Sequence, residues 1–284
     1  MGECMPELPE VETIRQGLVP VLGGATLEHV EVLDPRLVMP AAPADVAHQL
    51  AGRSIDSIER RGKYLLLVLA GGDVAIHHLR MTGSFGVRAP EDDQEPPHVR
   101  LRYHTANAVV WYRDPRRFGT LQVLSLERCN AYLDARLGPE PLSAAFDARH
   151  LLTWCARRGA SIKSLLLDQR VVAGIGNIYA DEALFQARVH PLAPANRVSR
   201  QAAARLVEAI VDRLEVAIGV GGSTLRDYAG VDGAPGSMQD RFLVYGRAGE
   251  PCANCGRLLR SGRVGGRMTV WCAHCQKLPR AARD

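Results

Sequence analysis

Cys252, Cys255, Cys272 and Cys275 form two C-x2-C pairs with sixteen residues between them. Each pair turns two sulfurs toward one point, and four thiolates at this spacing close a tetrahedral zinc site. The competing reading is four unrelated reduced thiols, and paired knuckles at zinc-ribbon spacing rarely arise by chance. Four sulfurs leave no coordination position open to water, so one zinc ion here is structural. Sixteen intervening residues suffice for a hairpin. From Arg241 to Asp284 there are nine Lys/Arg against two Asp/Glu, a local charge of +7 in a chain of net +4. The other 240 residues therefore sum to about −3, and an arginine-loaded metal hairpin points to phosphate as partner.

Other residues are open to two readings each. DPRRFG, from Asp114 to Gly119, sets two arginines and an aromatic on a turn. An exposed Arg–Phe pair can wedge into a base stack; taken alone, the stretch reads better as an ordinary loop whose phenylalanine returns to the core. Met81 likewise reads as core filler. GIGNIY, from Gly174 to Tyr179, lacks the third glycine and the βαβ context of a dinucleotide site. It is equally a helix N-terminus offering N–H groups to phosphate, with Asn177 as an added donor, or a corner that packs helices. Lys63, in RRGKYLLL, either snorkels to solvent or holds a phosphate or moves a proton. His77 and His78 read as structural histidines, because no partner ligand has suitable spacing.

The elements that must position these residues come in two textures. Val11, Ile14, Leu18 and Val21 recur at helical spacing and predict an opening helix. From Thr26 to about Val123 the chain breaks into short β runs, including TLEHVEVL, SIDSIER, KYLLLVL, DVAIHHL, VRLRYH and AVVWYR, which predict a β-sandwich or flattened barrel. EDDQEPP, from Glu91, reads as a mobile surface loop. Past about Arg128 the pattern becomes helical: 147–157, 161–168, a helix starting near Asn177, and 199–218 with Leu206, Ile210 and Leu214 on one face. Gly221 to Gln239 is a loop too long to be a simple connection. Apolar content of 46% is ordinary globular composition. Cys129 and Cys155 read as packing residues, no apolar run approaches twenty residues, and MGECMPELPEVE is no signal peptide. Those features predict a cytoplasmic protein with no membrane partner.

PELPEVETIR at the start, then RRGKYLL, HLRMTG, DPRRFG, LGPEPL, VAGIGNIYADEALF, VYGRAGEPC and the cysteine knuckles, resemble in order the formamidopyrimidine-DNA glycosylase family. PELPEVE favours that branch over the related endonuclease VIII branch. The resemblance implies an α+β protein: an N-terminal β-sandwich domain (1–125), a helical domain with a helix–two-turn–helix (126–240), and a zinc-ribbon β-hairpin zinc finger (241–284). It implies a bacterial, nucleoid-associated monomer without nucleotide cofactor. The implied activity is base excision repair of duplex DNA carrying 8-oxoguanine or formamidopyrimidines, followed by β,δ-elimination at the abasic site.

The resemblance also implies roles. Pro6 matches the proline whose amine attacks the sugar C1′, Glu7 the carboxyl that protonates the opening sugar, Lys63 the catalytic lysine near phosphate, and Arg267 the zinc-finger arginine on the phosphates. Met81, Arg116 and Phe118 match the trio filling the gap left by the flipped nucleotide. Arg158, Asn177 and His98 match DNA-contacting positions, and residues 224–239 match the loop that closes over the extruded base. Three differences stand out. MGEC precedes Met5, so Pro6 as written is a tertiary amide unable to form an imine; either translation starts at Met5 and trimming exposes Pro6, or the protein binds lesions without catalysis. EPPHV stands where relatives carry a K-H-x-H-V run, with Pro96 in the first histidine's place. PGSMQ, 235–239, stands where relatives often read PGYFQ.

Overall fold

The computed structural model describes residues 5–156, 158–224 and 230–279; residues 1–4 and part of the anticipated closing loop, 225–229, lie outside them. The chain divides into two compact units, residues 5–135 with 218–239, and residues 136–217 with 240–284.

In the first unit, α1 (Leu8–Leu22) buries Leu8, Val11, Ile14, Leu18 and Leu22 along one stripe. Leu22 rather than Val21 completes the stripe, because the turn-by-turn drift of 3.6 residues brings it inward. Each such side chain contributes about 1.5–3 kcal/mol on burial, against about 0–1 kcal/mol for a surface ion pair such as Arg53–Asp73. Apolar contact therefore fixes where α1 lies. The following elements are β1 (His29–Val32), α2 (Pro43–Leu50), β2 (Ile55–Arg61), β3 (Tyr64–Leu69), β4 (Asp73–His78), β5 (Ser84–Arg88), β6 (Val99–His104), β7 (Val109–Arg113), β8 (Thr120–Ser125) and α3 (Leu126–Asp134). Two antiparallel four-stranded sheets result, in orders β1-β6-β7-β5 and β2-β3-β4-β8. Their inner faces share one core with α1, including Ile58, Leu65, Leu67, Phe85, Leu101, Tyr103 and Val110. The β-sandwich expected from the sequence is present. The α2, β5 and β8 segments were not legible there.

α3 belongs with this sandwich, not with the helical part. Leu126 N–H donates to Gly72 O at 2.8 Å, and Tyr132 meets Tyr64 edge-on at 6.0 Å. Residues 218–239 also return to it, so the compact units do not follow cuts at 125 and 240. EDDQEPP is not loose throughout: Glu95 is gripped by Arg102 and Arg88. His77 is buried, with Nε2 2.6 Å from Tyr103 Oη, and burial pushes its pKa down to about 3, which fits the structural reading.

The second unit contains α4 (Ala148–Ala156), α5 (Ile162–Leu166), α6 (Asn177–Gln186), α7 (Arg200–Gly219), β9 (Arg260–Val264) and β10 (Arg267–Trp271). α6 buries nearly every side chain, Asp181 and Glu182 included. Lys163 Nζ lies 2.6 Å from Asp181 Oδ1 and donates to Thr269 Oγ1 at 2.7 Å, while Val270 N–H donates to Asp181 Oδ2 at 3.1 Å. Glu182 accepts three consecutive backbone N–H groups, those of Leu243, Val244 and Tyr245, at 2.8–2.9 Å. Gln276 accepts from Cys272 N and donates to Val189 O, both at 2.9 Å. These bonds make the cysteine hairpin part of the helical unit and not a body of its own. Among the described residues, no helix is long and apolar enough to cross a membrane.

The Lys163–Asp181 pair gives a direct test. Lys163→Met should cost about 3–5 kcal/mol in urea unfolding followed by tryptophan fluorescence, because it strands a buried charge. The double variant K163M/D181N should recover at least half of that loss. Equal instability of the single and double variants would show that packing, not charge pairing, dominates there.

Candidate active site and metal centre

In the sandwich unit, Pro6 and Glu7 are buried immediately ahead of α1. Glu7 is the N-cap, and it forms a reciprocal capping box with Glu10. Glu10, 1% exposed, does more than cap. Its Oε2 accepts the Glu7 N–H at 2.9 Å, and its Oε1 accepts Ser223 N–H at 2.8 Å and Ser223 Oγ at 2.9 Å. One carboxylate thus fixes both the peptide after Pro6 and the base of the 224–239 loop. Gly222 lies against it with φ +74°, and an added Cβ would sit 3.1 Å from Glu10 Oε1, so glycine suits the close approach. That loop closes on itself through Thr224 and Gln239, at 2.9 Å.

Lys63 occupies the two-residue turn between β2 and β3, after Gly62 with φ +58°. It is only 4% exposed, so it does not snorkel to solvent. Arg60 holds the turn: its Nε donates to Glu12 Oε2 at 2.9 Å and its Nη1 to Gly62 O at 3.0 Å. Burial pushes the Glu12 carboxyl up, and Arg15 and Arg60 more than reverse this, leaving it below the usual carboxylate range. The lysine turn is therefore tied to the helix that carries Pro6 and Glu7. Burial, Arg80 and Lys63 together push His78 down to about 3. The neutral His78 ring accepts Arg80 N–H at 3.0 Å on Nδ1, leaving the proton on Nε2.

DPRRFG does not fold back as the residue reading favoured. Phe118 is 50% exposed, and the Arg116 guanidinium stacks over its ring at 4.8 Å. Asp114 is the reason: Oδ1 accepts Thr82 Oγ1 at 2.5 Å and Arg116 N–H at 3.2 Å, and Oδ2 accepts Gly119 N–H at 2.7 Å. A Cβ on Gly119 would fall 1.8 Å from Tyr112 Oη, so the chain passes too close to the core edge to tuck Phe118 inward. Arg117 carries the turn through φ +59° and forks onto Asp34 at 2.5 and 2.7 Å. Met81, beside Thr82, is half-buried, and His98 is exposed with φ +74°.

The helical unit holds the other candidates. Arg158 stacks over Trp154 at 5.1 Å and reaches Asp168 at 3.2 Å. Asn177 opens α6 and donates from Nδ2 to Met268 O at 3.0 Å, so its amide steadies the hairpin, as the packing reading of GIGNIY has it. β9 and β10 join through Gly265 and Gly266, both at positive φ, a two-residue turn that needs glycine. Arg267 is the first residue after it and is exposed.

The four cysteine sulfurs lie within 4.8 Å of one another, with Cys252–Cys275 at 3.9 Å and Cys255–Cys272 at 3.5 Å. Sulfurs about 2.3 Å from a tetrahedral zinc lie about 3.8 Å apart, so the quartet fits the ion. Cys129 and Cys155 are buried elsewhere, as packing residues. Sequence reasoning missed Glu10, Lys163, Asp181 and Glu182. Two acids within the otherwise apolar YADEALF run were the available signal, because a buried acid demands a partner.

Three family models match the chain: "Formamidopyrimidine-DNA glycosylase N-terminal domain" over residues 5–121, "Formamidopyrimidine-DNA glycosylase H2TH domain" over 137–229, and "Zinc finger found in FPG and IleRS" over 249–278. The last spans all four cysteines, and the chain holds one structural zinc. Formamidopyrimidine-DNA glycosylase of Stenotrophomonas maltophilia (strain R551-3) is 46% identical over 274 residues, covering 96% of this chain and all of the relative. That of Methylococcus capsulatus is 44% identical with the same coverage. Among solved structures, a complex between Lactococcus lactis Fpg and an abasic site containing DNA is similar at TM-score 0.89 and 36% identity, covering 95% of this chain and 99% of that one. A complex of the wild-type Lactococcus lactis protein with an N7-benzyl-Fapy-dG containing DNA gives TM-score 0.89, 36% identity and coverage of 96% and 100%. With its three models, its full-length relatives and its shared fold, the chain belongs to the formamidopyrimidine-DNA glycosylase family.

Proposed function

We propose that this protein is a bifunctional DNA glycosylase and abasic-site lyase that removes 8-oxoguanine and formamidopyrimidines from duplex DNA. The observation that carries this reading is the buried Pro6–Glu7 pair at the head of α1, just inside the residue where the family match begins. It acts as a monomer on bacterial DNA and uses no nucleotide cofactor.

The chemistry follows from the residue types. A free pyrrolidine nitrogen at Pro6 attacks the sugar C1′ as the damaged base departs with the bonding electrons. Glu7 protonates the ring oxygen, and the opened sugar becomes a cationic imine on the proline nitrogen. That cation acidifies the C2′ hydrogen, whose loss expels the 3′ phosphate; a second elimination expels the 5′ phosphate. Lys63, held by the Arg60 clamp, supplies a positive charge to a flanking phosphate and a proton to the site. Met81, Arg116 and Phe118 fill the gap left by the extruded nucleotide. His98, Arg158, Asn177 and Arg267 bind the phosphate backbone. The zinc supplies only a cross-link that keeps β9 and β10 in register, so that Arg267 projects from a fixed turn.

This mechanism needs Pro6 as the first residue of the mature chain, because a peptide-bonded proline nitrogen has neither a proton nor a basic lone pair. Retention of residues 1–4 would instead leave a protein that binds lesions and cuts nothing.

Borohydride should trap protein beginning at Pro6 on an 8-oxoguanine duplex as a covalent adduct, and protein carrying residues 1–4 should give none. Adduct formation by the extended form would remove the proline nitrogen from the mechanism. Arg267→Ala should lower affinity for all duplexes, flatten the salt dependence by about one unit of slope, and leave one zinc per chain by metal analysis. Cys275→Ser should release the metal. Phe118→Ala should reduce base excision from duplex DNA while leaving elimination at a preformed abasic site less affected, read from separate glycosylase and lyase assays.

A further inference from the structure

Asp34 stands just past the end of β1, outside every role assigned above, and is 3% exposed. Its Oδ1 accepts Arg36 N–H at 3.0 Å and Arg117 Nη2 at 2.7 Å, and its Oδ2 accepts Arg117 Nε at 2.5 Å and lies 3.7 Å from Arg100 Nε. The Arg36 bond caps the single turn Pro35–Leu37, and Leu33 N–H donates to Arg100 O on β6 at 2.9 Å. The acid is thus held in place by its own stretch of chain and by β6, independently of Arg117. The fork onto Arg117 spans 83 residues of sequence and has the charge-assisted, two-pronged geometry that fixes a guidanium in one orientation. Arg117 holds the Asp34 carboxyl below the usual carboxylate range, so the pair is fully charged at neutral pH.

Arg117 is the residue between Arg116 and Phe118, and its backbone sits at φ +59°. A residue with a Cβ is disfavoured there, and glycine would take the same turn without strain. What arginine adds is the fork. Asp114 holds the backbone on either side, through Arg116 N–H and Gly119 N–H, and Arg100 Nε braces Asp114 O at 3.1 Å. Asp34 holds the middle of the same turn by its side chain. The reversal at Arg117 sets the angle at which Arg116 and Phe118 leave the chain, stacked at 4.8 Å. We propose that Asp34 is a positioning residue for this pair, and that its grip on Arg117 sets how sharply the protein distinguishes the base opposite a lesion. The inference rests on the wedge role given to Arg116 and Phe118 under the proposed function. A guanidinium has donors only. An unpaired cytosine offers it two adjacent acceptors, N3 and O2, whereas adenine offers one acceptor beside an amino donor. A wedge held at one angle feels that difference, and a wedge free to swing averages it away.

Asp34→Asn keeps the cap on Arg36 N–H and the side-chain volume while removing the charge and half of the fork; Arg117→Gly keeps the turn and removes the grip. The first measurement needs no catalysis. A duplex carrying a tetrahydrofuran abasic analogue opposite 2-aminopurine should change its 2-aminopurine emission when the parent binds, and D34N should alter that change. A parent without any response removes the wedge role, and this inference with it; a parent response that D34N reproduces overturns this inference alone. The second measurement compares excision of 8-oxoguanine opposite cytosine with excision opposite adenine. D34N should narrow that ratio about threefold or more. Elimination at an abasic site in single-stranded DNA, where no base faces the wedge, should stay within about twofold of the parent. R117G should narrow the ratio as well, and D34N should change nothing further in the R117G background. An equal loss on all three substrates would mean that Asp34 only supports the fold, and additive effects in D34N/R117G would mean that it does not act through Arg117; either result overturns the proposal.

Discussion

A buried carboxylate must find donors for its oxygens, and in this protein two such carboxylates do the stapling. Glu10 and Glu182 each sit on a helix, each is almost fully buried, and each accepts three hydrogen bonds, two of Glu10's and all three of Glu182's from distant chain. Leaving such a group without partners costs more than most single contacts contribute, so the distant segments are held as firmly as a core side chain. Glu10 fixes the peptide that follows Pro6 and the base of the loop after Gly222. Glu182 fixes the strand of chain that leads into the cysteine hairpin. The precision of both candidate regions descends from these two acids.

Around them the same logic recurs at lower stakes. Asp114 collects a hydroxyl and two backbone N–H groups, and by doing so turns Phe118 outward under Arg116. Glu12 and Arg60 hold the Lys63 turn against α1. Lys163 and Asp181 neutralise each other beneath the hairpin that presents Arg267. In each case a charged residue without a role in the proposed reaction sets the direction of a neighbour to which that proposal gives one. Exposed pairs such as Arg247–Glu250 have no comparable leverage, since solvent screens them and either side chain is free to leave.

The sequence disclosed what is encoded locally. Two C-x2-C knuckles state their own geometry, the apolar stripe of α1 announces itself by period, and β3 does so as a continuous apolar run. The residues of PELPEVE and RRGKYLL could be named before their surroundings were known. What stayed hidden depends on contacts remote in the chain. The direction of Phe118 is decided by Tyr112 and Asp114, not by its own hydrophobicity. Lys63 is buried in a turn that Arg60 ties to Glu12, 48 residues earlier in the chain. β5 escaped notice because Gly86 interrupts its pattern, and that glycine is there because the Trp111 ring lies across it. Glu10 went unremarked, since its partner Ser223 is 213 residues away.

That last separation bears on how the protein is made. The sandwich is built from residues 5–135 together with 218–239, so its final piece leaves the ribosome long after its first. At about 5–20 residues per second, roughly 10–40 s pass between synthesis of Glu10 and arrival of Ser223. Until then Glu10 lacks the two hydrogen bonds that Ser223 donates to its Oε1. The corner that holds Pro6 and Glu7 therefore gains its last hydrogen bonds late in synthesis, and an incompletely translated copy presents that corner without its far anchor.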